Sequence, residues 1–512
     1  MDYYYYNLTP LQEDDHRKHA TLVKDIRRLI SKVNTESFED LIMVDALQRL
    51  EIDYHFEDEI DLILKRRYLQ VNNSDLFEEK NVYHVSLCFR ILRQNGFHTS
   101  TDGFMKLKGT DEKFEGKLRN DIRGLMALYE ASHLRVEGET ILDEAEQLSR
   151  QLLEDAMMFL EDEQLKSMVI QTLENPYQKT LPLFNLNKEF KGTILQELAE
   201  MDFKMMKSIH RTELDQIYRW WKELGLCQEL TRARDQPLKW YLWPMAALTN
   251  PNLSMQRIHL TKTISLIYII DDLFDVYGNI RDLTLFTEAV NRWDVNAIEE
   301  LPYYMRSSFK ALYDITNEIA NKVYAQHGFN PIISLQESWA TLCNAFLVEA
   351  KWFDCGQIPM AKEYLKNGMV TSGIQVVFVH MFYLLGDHQA TTKINHDHAI
   401  ISSVSRILRL WDDLGTAKDE NQDGHDGSYI KCFLNEHEGC SIKVAREHVL
   451  TLISEAWKSL NKESLSPNPY SPTFIKACNN IARMVPLMYS YGDNGSLPLL
   501  NYYIKVMLHD TF

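Results

Sequence analysis

The chain has 512 residues, 45% of them hydrophobic and 25% charged, an ordinary globular composition and enough length for two or three domains rather than one core. A formal net charge of −18 argues against binding nucleic acid or an anionic membrane through the general field, so a small anion binds only where metal ions or local arginines reverse the sign. The 7 cysteines are odd in number and lack zinc-ligand spacing, which fits reduced thiols in a reducing compartment.

From the N-terminus, the opening MDYYYYNLTPLQEDD has no apolar core, and Glu13, Asp14 and Asp15 come early. This speaks against a transit peptide and for the cytosol, with the plastid open if a leader has been trimmed. Apolar residues recur at three- and four-residue spacing over 21–32, 141–160, 193–209 and 401–410, and no alternating strand pattern, G-x-G-x-x-G or G-K-[ST] loop occurs. The expected fold is therefore all-α. Residues 175–191 contain Pro176 and Pro182 and few strong helix formers. They mark the expected junction between an N-terminal helical domain, 1–191, and a C-terminal domain, 192–512, that holds the chemically suggestive motifs. The apolar run 264–270 is too short to span a bilayer, so no transmembrane segment is expected.

That run leads into Asp271-Asp272-Leu273-Phe274-Asp275. On a helix, Asp271 and Asp275 share a face. Two carboxylates ending a buried helix repel each other and are costly to desolvate, and a divalent cation relieves both costs. A solvated acidic helix end is the plainer alternative. A second cluster, Asp412-Asp413-Leu414-Gly415-Thr416-Ala417-Lys418-Asp419-Glu420, follows the largely apolar 407–411. Asp412, Thr416 and Glu420 fall on one side of a helix and offer hard oxygen ligands suited to Mg²⁺ or Mn²⁺ rather than zinc. Two such clusters imply facing walls of one cavity, with metal ions and a polyphosphate between them. His388, His396 and His398 lie close together in a polar stretch and compete poorly as a zinc site.

At this point the sequence resembles the plant class I terpene synthases along essentially its whole length. D-D-L-F-D matches that family's aspartate-rich motif, D-D-L-G-T-A-K-D-E its second metal motif, and Arg219-Trp220-Trp221-Lys222-Glu223-Leu224-Gly225-Leu226 the segment that opens its catalytic domain. The resemblance implies an α-helical bundle behind an N-terminal helical, barrel-like domain. It also implies three Mg²⁺ ions, with Mn²⁺ as a substitute: Asp271 and Asp275 would bind two, and Asp412, Thr416 and Glu420 the third, with Asp272 behind them. Arg234 would grip the diphosphate through its guanidinium fork. The second arginine of the family's Arg-x-Arg pair is Gln236 here, a departure, while Arg232 stands one step too early. Arg409 falls where the family places another diphosphate-binding arginine, and a later basic position is Ser428. Trp243 and Tyr489 match positions whose π faces stabilise a carbocation, Asp493 follows in a lid segment, and Thr371-Ser372-Gly373 resembles the family's helix break.

The substrate so implied is geranyl or farnesyl diphosphate, and the protein a monomer or weak dimer. No D-x-D-D motif and no tandem arginine followed by tryptophan occurs near the N-terminus. Together with Arg-Asp-Gln at 234–236 and Gly-His-Asp-Gly-Ser-Tyr at 424–429, this pattern is similar to the branch that makes acyclic tertiary alcohols, linalool or nerolidol. A cyclising terpene synthase is the main alternative. A chain-elongating prenyltransferase would carry a second D-D-x-x-D, and a catalytically dead helical interaction protein would have eroded ligands.

Overall fold

The computed structural model describes residues 13–33, 38–73, 81–107, 118, 121–181, 192–387, 394, 398–419, 428–465, 467–491 and 496–509. Among these residues there are helices and turns and no strand, and no helix is long and apolar enough to cross a membrane. The chain divides into two compact units, one formed by Met1–Ser208 with Asn461–Asn468, the other by Ile209–Leu460 with Pro469–Phe512. The division falls within the helix Ile194–Leu224.

In the first unit, the amphipathic helices Glu13–Lys32, Glu39–Arg49 and Glu57–Asn73 bury Ile26, Leu41, Val44, Leu47 and Leu64 in one apolar cluster. A second cluster forms around Leu125, Leu128 and Leu142, from helices Ile122–Ser132 and Thr140–Met157. Residues 461–468 complete this unit. The side-chain amide of Asn461 donates to the carbonyls of His133 and Arg135, each at 2.9 Å. Its carbonyl oxygen accepts from Gln178 at 3.0 Å.

The second unit is built around the helix Ser254–Asp272. Its run 264–270 is buried except for Tyr268, which is half-buried, as expected of an all-round apolar helix. The helices Pro237–Ala247 and Ile374–Leu384 pack on it, while Ala399–Asp419 packs on Ala361–Thr371 and on Pro472–Tyr489. A buried polar network fixes the Pro237–Ala247 and Ser254–Asp272 helices. Arg257 and Glu213 pair at 2.6 Å, and the Tyr241 hydroxyl donates to Glu213 at 2.6 Å. His210 lies 2.6 Å from that hydroxyl. Because Arg257 and Glu213 are both essentially inaccessible, loss of either leaves an uncompensated buried charge.

Candidate active site

The α-helix ends at Asp272, and residues Leu273–Tyr277 form a wider π turn. The expectation of a plain helix through Asp275 therefore changes, and such turns recur at functional sites. Two features set this turn. Phe274 is buried against Phe346, with ring centroids 5.4 Å apart, and near Phe286 at 6.3 Å. At Gly278, whose N–H closes the turn on the Leu273 carbonyl at 2.8 Å, an added Cβ would lie 2.3 Å from Leu283. With Leu273 and Phe274 anchored inside, Asp271 is half-buried and Asp275 exposed.

Asp272 turns the other way. It is buried and accepts from the Arg234 backbone N–H at 2.7 Å, with the Arg234 Nε 2.8 Å from its other oxygen. Burial pushes its carboxyl above the usual range, offset in part by Arg234. The Arg234 guanidinium also pairs with Asp271 and lies over the Tyr268 ring, 4.7 Å from its centroid. Arg232 does not join it. It donates to the Val276 carbonyl at 2.8 Å and sits over Tyr277, bracing the π turn. Gln236 is exposed at the start of the Pro237–Ala247 helix. Trp221 buries its ring against Trp240, and its indole N–H donates to Asp235 at 2.8 Å, which fixes the backbone beside Arg234.

On the opposite helix, Arg409 donates to the Gly368 carbonyl at 3.1 Å and to the Thr371 hydroxyl at 3.0 Å, and its Nη1 lies 3.3 Å from Asp412. Asp413 is buried. It accepts from the Tyr364 hydroxyl at 3.0 Å and the Tyr429 N–H at 2.8 Å, and burial pushes its carboxyl up to about 7. Asp412 alone of this pair is left toward the site. Ser428 caps the helix Tyr429–Glu436 by accepting from the Lys431 N–H at 3.2 Å. The Thr416 side chain, Glu420, residues 423–427, Asp493, His388 and His396 lie outside the described residues.

The chain does break after Thr371, with Gly373 at φ +74°, where an added Cβ would meet Ile267 at 2.7 Å. This glycine is needed for both conformation and close approach. Trp243 and Tyr489 face each other with centroids 6.5 Å apart, and Gly415 passes so near that a Cβ there would lie 2.5 Å from the Tyr489 carbonyl.

The two acidic ends converge. Tyr268 feels the charges of Arg234, Asp412 and Asp271. Tyr489 feels those of Asp412 and Arg409, although its enclosure is the main reason its hydroxyl is held well above the ordinary value. Two further residues belong here that the sequence did not single out. Burial and Arg234 hold the Lys239 ammonium below its ordinary value, against an opposing pull from Asp412. Glu349 accepts from Thr371 at 2.9 Å and from Asn367 at 3.1 Å. Burial raises its carboxyl, opposed by Arg409 and reinforced by Asp271. Asp271, Asp275 and Asp412 supply hard carboxylate oxygens, a donor set that fits Mg²⁺.

An all-helical fold with two carboxylate clusters and two arginines converging on one place is the architecture of a metal-dependent lyase acting on prenyl diphosphates. The chain belongs to the terpene synthase family. "Terpene synthase, N-terminal domain" matches residues 4–173 and "Terpene synthase family, metal binding domain" residues 222–459. A probable terpene synthase 13 of Ricinus communis is 51% identical, over 98% of this chain and 89% of that protein. An (E)-nerolidol synthase of Cannabis sativa is 48% identical, over 92% and 88%. An S-(+)-linalool synthase of Arabidopsis thaliana, named as chloroplastic, is 44% identical over 96% and 88%. A tricyclene synthase of Antirrhinum majus is 43% identical over 94% and 85%, so ring-forming relatives stand beside acyclic ones. The crystal structure of grey poplar isoprene synthase with three Mg²⁺ ions and dimethylallyl-S-thiolodiphosphate superposes with a TM-score of 0.86 at 32% identity, covering 98% of each chain.

Proposed function

We propose that this enzyme ionises geranyl or farnesyl diphosphate and captures the allylic cation with water at C3, giving linalool or nerolidol. The observation that carries the reading is how the arginines beside the aspartate-rich motif are engaged. Arg234 reaches Asp271 and Asp272, Arg232 is committed to the π turn, and position 236 is an exposed glutamine. The similarity to nerolidol and linalool synthases supports the same branch.

In this reading Asp271 and Asp275 hold two Mg²⁺ ions, and Asp412, Thr416 and Glu420 the third. When bound, the ions neutralise the diphosphate and make it a better leaving group. Asp272 keeps the Arg234 backbone against the motif. Arg234 pairs with Asp271 and Arg409 lies beside Asp412, so both guanidiniums stand where they would grip the diphosphate oxygens. The C1–O bond breaks with its electron pair leaving on the diphosphate, and the positive charge is shared by C1 and C3. Trp243, Tyr268 and Tyr489 offer π faces to that charge. Water adds through oxygen to C3 and loses one proton to the departing diphosphate, so the products are a tertiary alcohol and diphosphate.

The test is gas chromatography–mass spectrometry of products from purified protein with Mg²⁺ and each diphosphate. Linalool and nerolidol are expected. Ring-containing hydrocarbons would overturn the water-capture reading and leave the metal site standing.

A further inference from the structure

The first unit contains a cluster that the prenyl diphosphate chemistry does not use. His19 comes from the helix Glu13–Lys32, Tyr54 and His55 from the turn Asp53–His55, and Asp202 from the helix Ile194–Leu224. The Nε2 of His19 lies 2.6 Å from one oxygen of Asp202, and the Nε2 of His55 lies 2.8 Å from the other. One ligand atom from each of the three residues falls within 4.8 Å of the others. The carboxylate is buried, and the two imidazoles are 20% and 15% exposed.

Read as a hydrogen-bonded brace, this arrangement sets three donors on one carboxylate, because the Tyr54 hydroxyl also donates to Asp202 at 2.8 Å. Neutral imidazoles and a phenol bring no positive charge to the buried carboxylate. Lys18 pairs with Glu197, and Arg27 pairs with Glu59 and donates to the His55 backbone carbonyl at 2.7 Å, so neither is shown on the Asp202 carboxylate. A divalent cation supplies the missing charge. Two imidazole nitrogens and one carboxylate oxygen form a borderline donor set that suits Zn²⁺ and other late first-row ions better than Mg²⁺. Bonds of about 2.0–2.1 Å in a tetrahedron place ligand atoms about 3.3 Å apart, so the present spacing closes by small side-chain movements. Tyr54 then holds the oxygen of Asp202 that does not face the ion, the kind of outer partner that fixes a ligating carboxylate.

We propose that His19, His55 and Asp202 form a second metal site, selective for Zn²⁺ over Mg²⁺, that pins the helix Glu13–Lys32 to the turn Asp53–His55 and the helix Ile194–Leu224. Each imidazole binds through Nε2 and carries its proton on Nδ1, and water fills the fourth position.

The experiment uses full-length protein stripped with a chelator and carrying Asp271→Ala, so that metal at the acidic site is weakened. Zn²⁺ uptake is followed by equilibrium dialysis, and Co²⁺ serves as a spectroscopic probe. One tightly held equivalent is expected, with visible Co²⁺ bands of four-coordinate intensity and a melting temperature raised by Zn²⁺. His55→Gln and Asp202→Asn, added singly, should weaken uptake at least about ten-fold, and Tyr54→Phe about ten-fold. Weak, six-coordinate Co²⁺ bands in the parent, which carries no change at this cluster, would overturn the proposal. So would Zn²⁺ uptake that is unchanged in the folded His55→Gln and Asp202→Asn proteins. With Asp271 intact, His55→Gln should turn over prenyl diphosphate with Mg²⁺ at the rate of the unsubstituted protein, which separates this site from the catalytic one.

Discussion

Gly368→Ala separates stability from catalysis. Gly368 lies inside the helix Ala361–Thr371, where an added Cβ would stand 3.1 Å from both Cγ and Nε of Arg409. That is tighter than ordinary van der Waals contact, so Arg409 must shift by a few tenths of an ångström. The shift acts on the 3.1 Å hydrogen bond from Nε to the Gly368 carbonyl. Replacing a helix-interior glycine by alanine gains about 0.5–1 kcal/mol, and an off-rotamer arginine costs about 0.5–1.5 kcal/mol. The two nearly cancel, so the melting temperature should move by no more than about 3 °C. Positioning is less forgiving. A misplacement of about 1 Å costs on the order of a hundred-fold in rate, so a third of that should lower kcat about five-fold. The assay is steady-state product release with Mg²⁺ and each prenyl diphosphate, run beside thermal unfolding. An unchanged kcat would refute the assignment of Arg409 to the reacting diphosphate. Gly373→Ala is the contrast: φ +74° and a Cβ 2.7 Å from Ile267 predict loss of stability as well as rate.

Asp271→Ala should abolish turnover while leaving the circular dichroism spectrum and melting temperature nearly intact, and retained activity would defeat the metal assignment. Thr371→Val removes the hydroxyl between Arg409 and Glu349. It should cost about 1–3 kcal/mol in denaturant unfolding from the stranded polar groups, with a fall in kcat, whereas unaltered stability would show that water replaces the hydroxyl. Glu213→Ala strands the buried Arg257 and should destabilise by about 3–5 kcal/mol, read as a lower urea midpoint. Burial lowers His210 to about 3 and His380 to about 4. The unfolded chain, with histidines near 6.5, therefore binds more protons than the native one below that pH. Stability should fall as pH drops from about 6.5 toward 4, and the slope should be shallower in a folded His380→Gln variant.

What was readable in the sequence was whatever the helical period and the charge pattern jointly determine. Asp271, Asp275 and Asp412 announced themselves because carboxylates interrupt apolar runs, and the break at Gly373 because small residues punctuate a helical stretch. The π turn was not readable, because it is set by Phe274 finding Phe346, 72 residues further along the chain, and by the tight side-chain approach of Leu283 to Gly278, which no periodicity announces. Lys239 and Glu349 look like ordinary charged helix residues until folding brings Arg234 and Asp412 to the one and Thr371 and Arg409 to the other. His19, His55 and Asp202 show no spacing at all, because each comes from a separate segment and only tertiary structure assembles them.

The amide of Asn461 has a consequence for how the protein is made. Its bonds to the carbonyls of His133 and Arg135, and to Gln178, close a unit whose residues outside 461–468 all precede position 209. During synthesis that unit waits for a segment translated roughly 250 residues later, at about 5–20 residues per second. Until then the His133 and Arg135 carbonyls and the Gln178 side chain are without their Asn461 contacts, a delay of tens of seconds. A fragment ending at residue 208 would inherit that defect permanently.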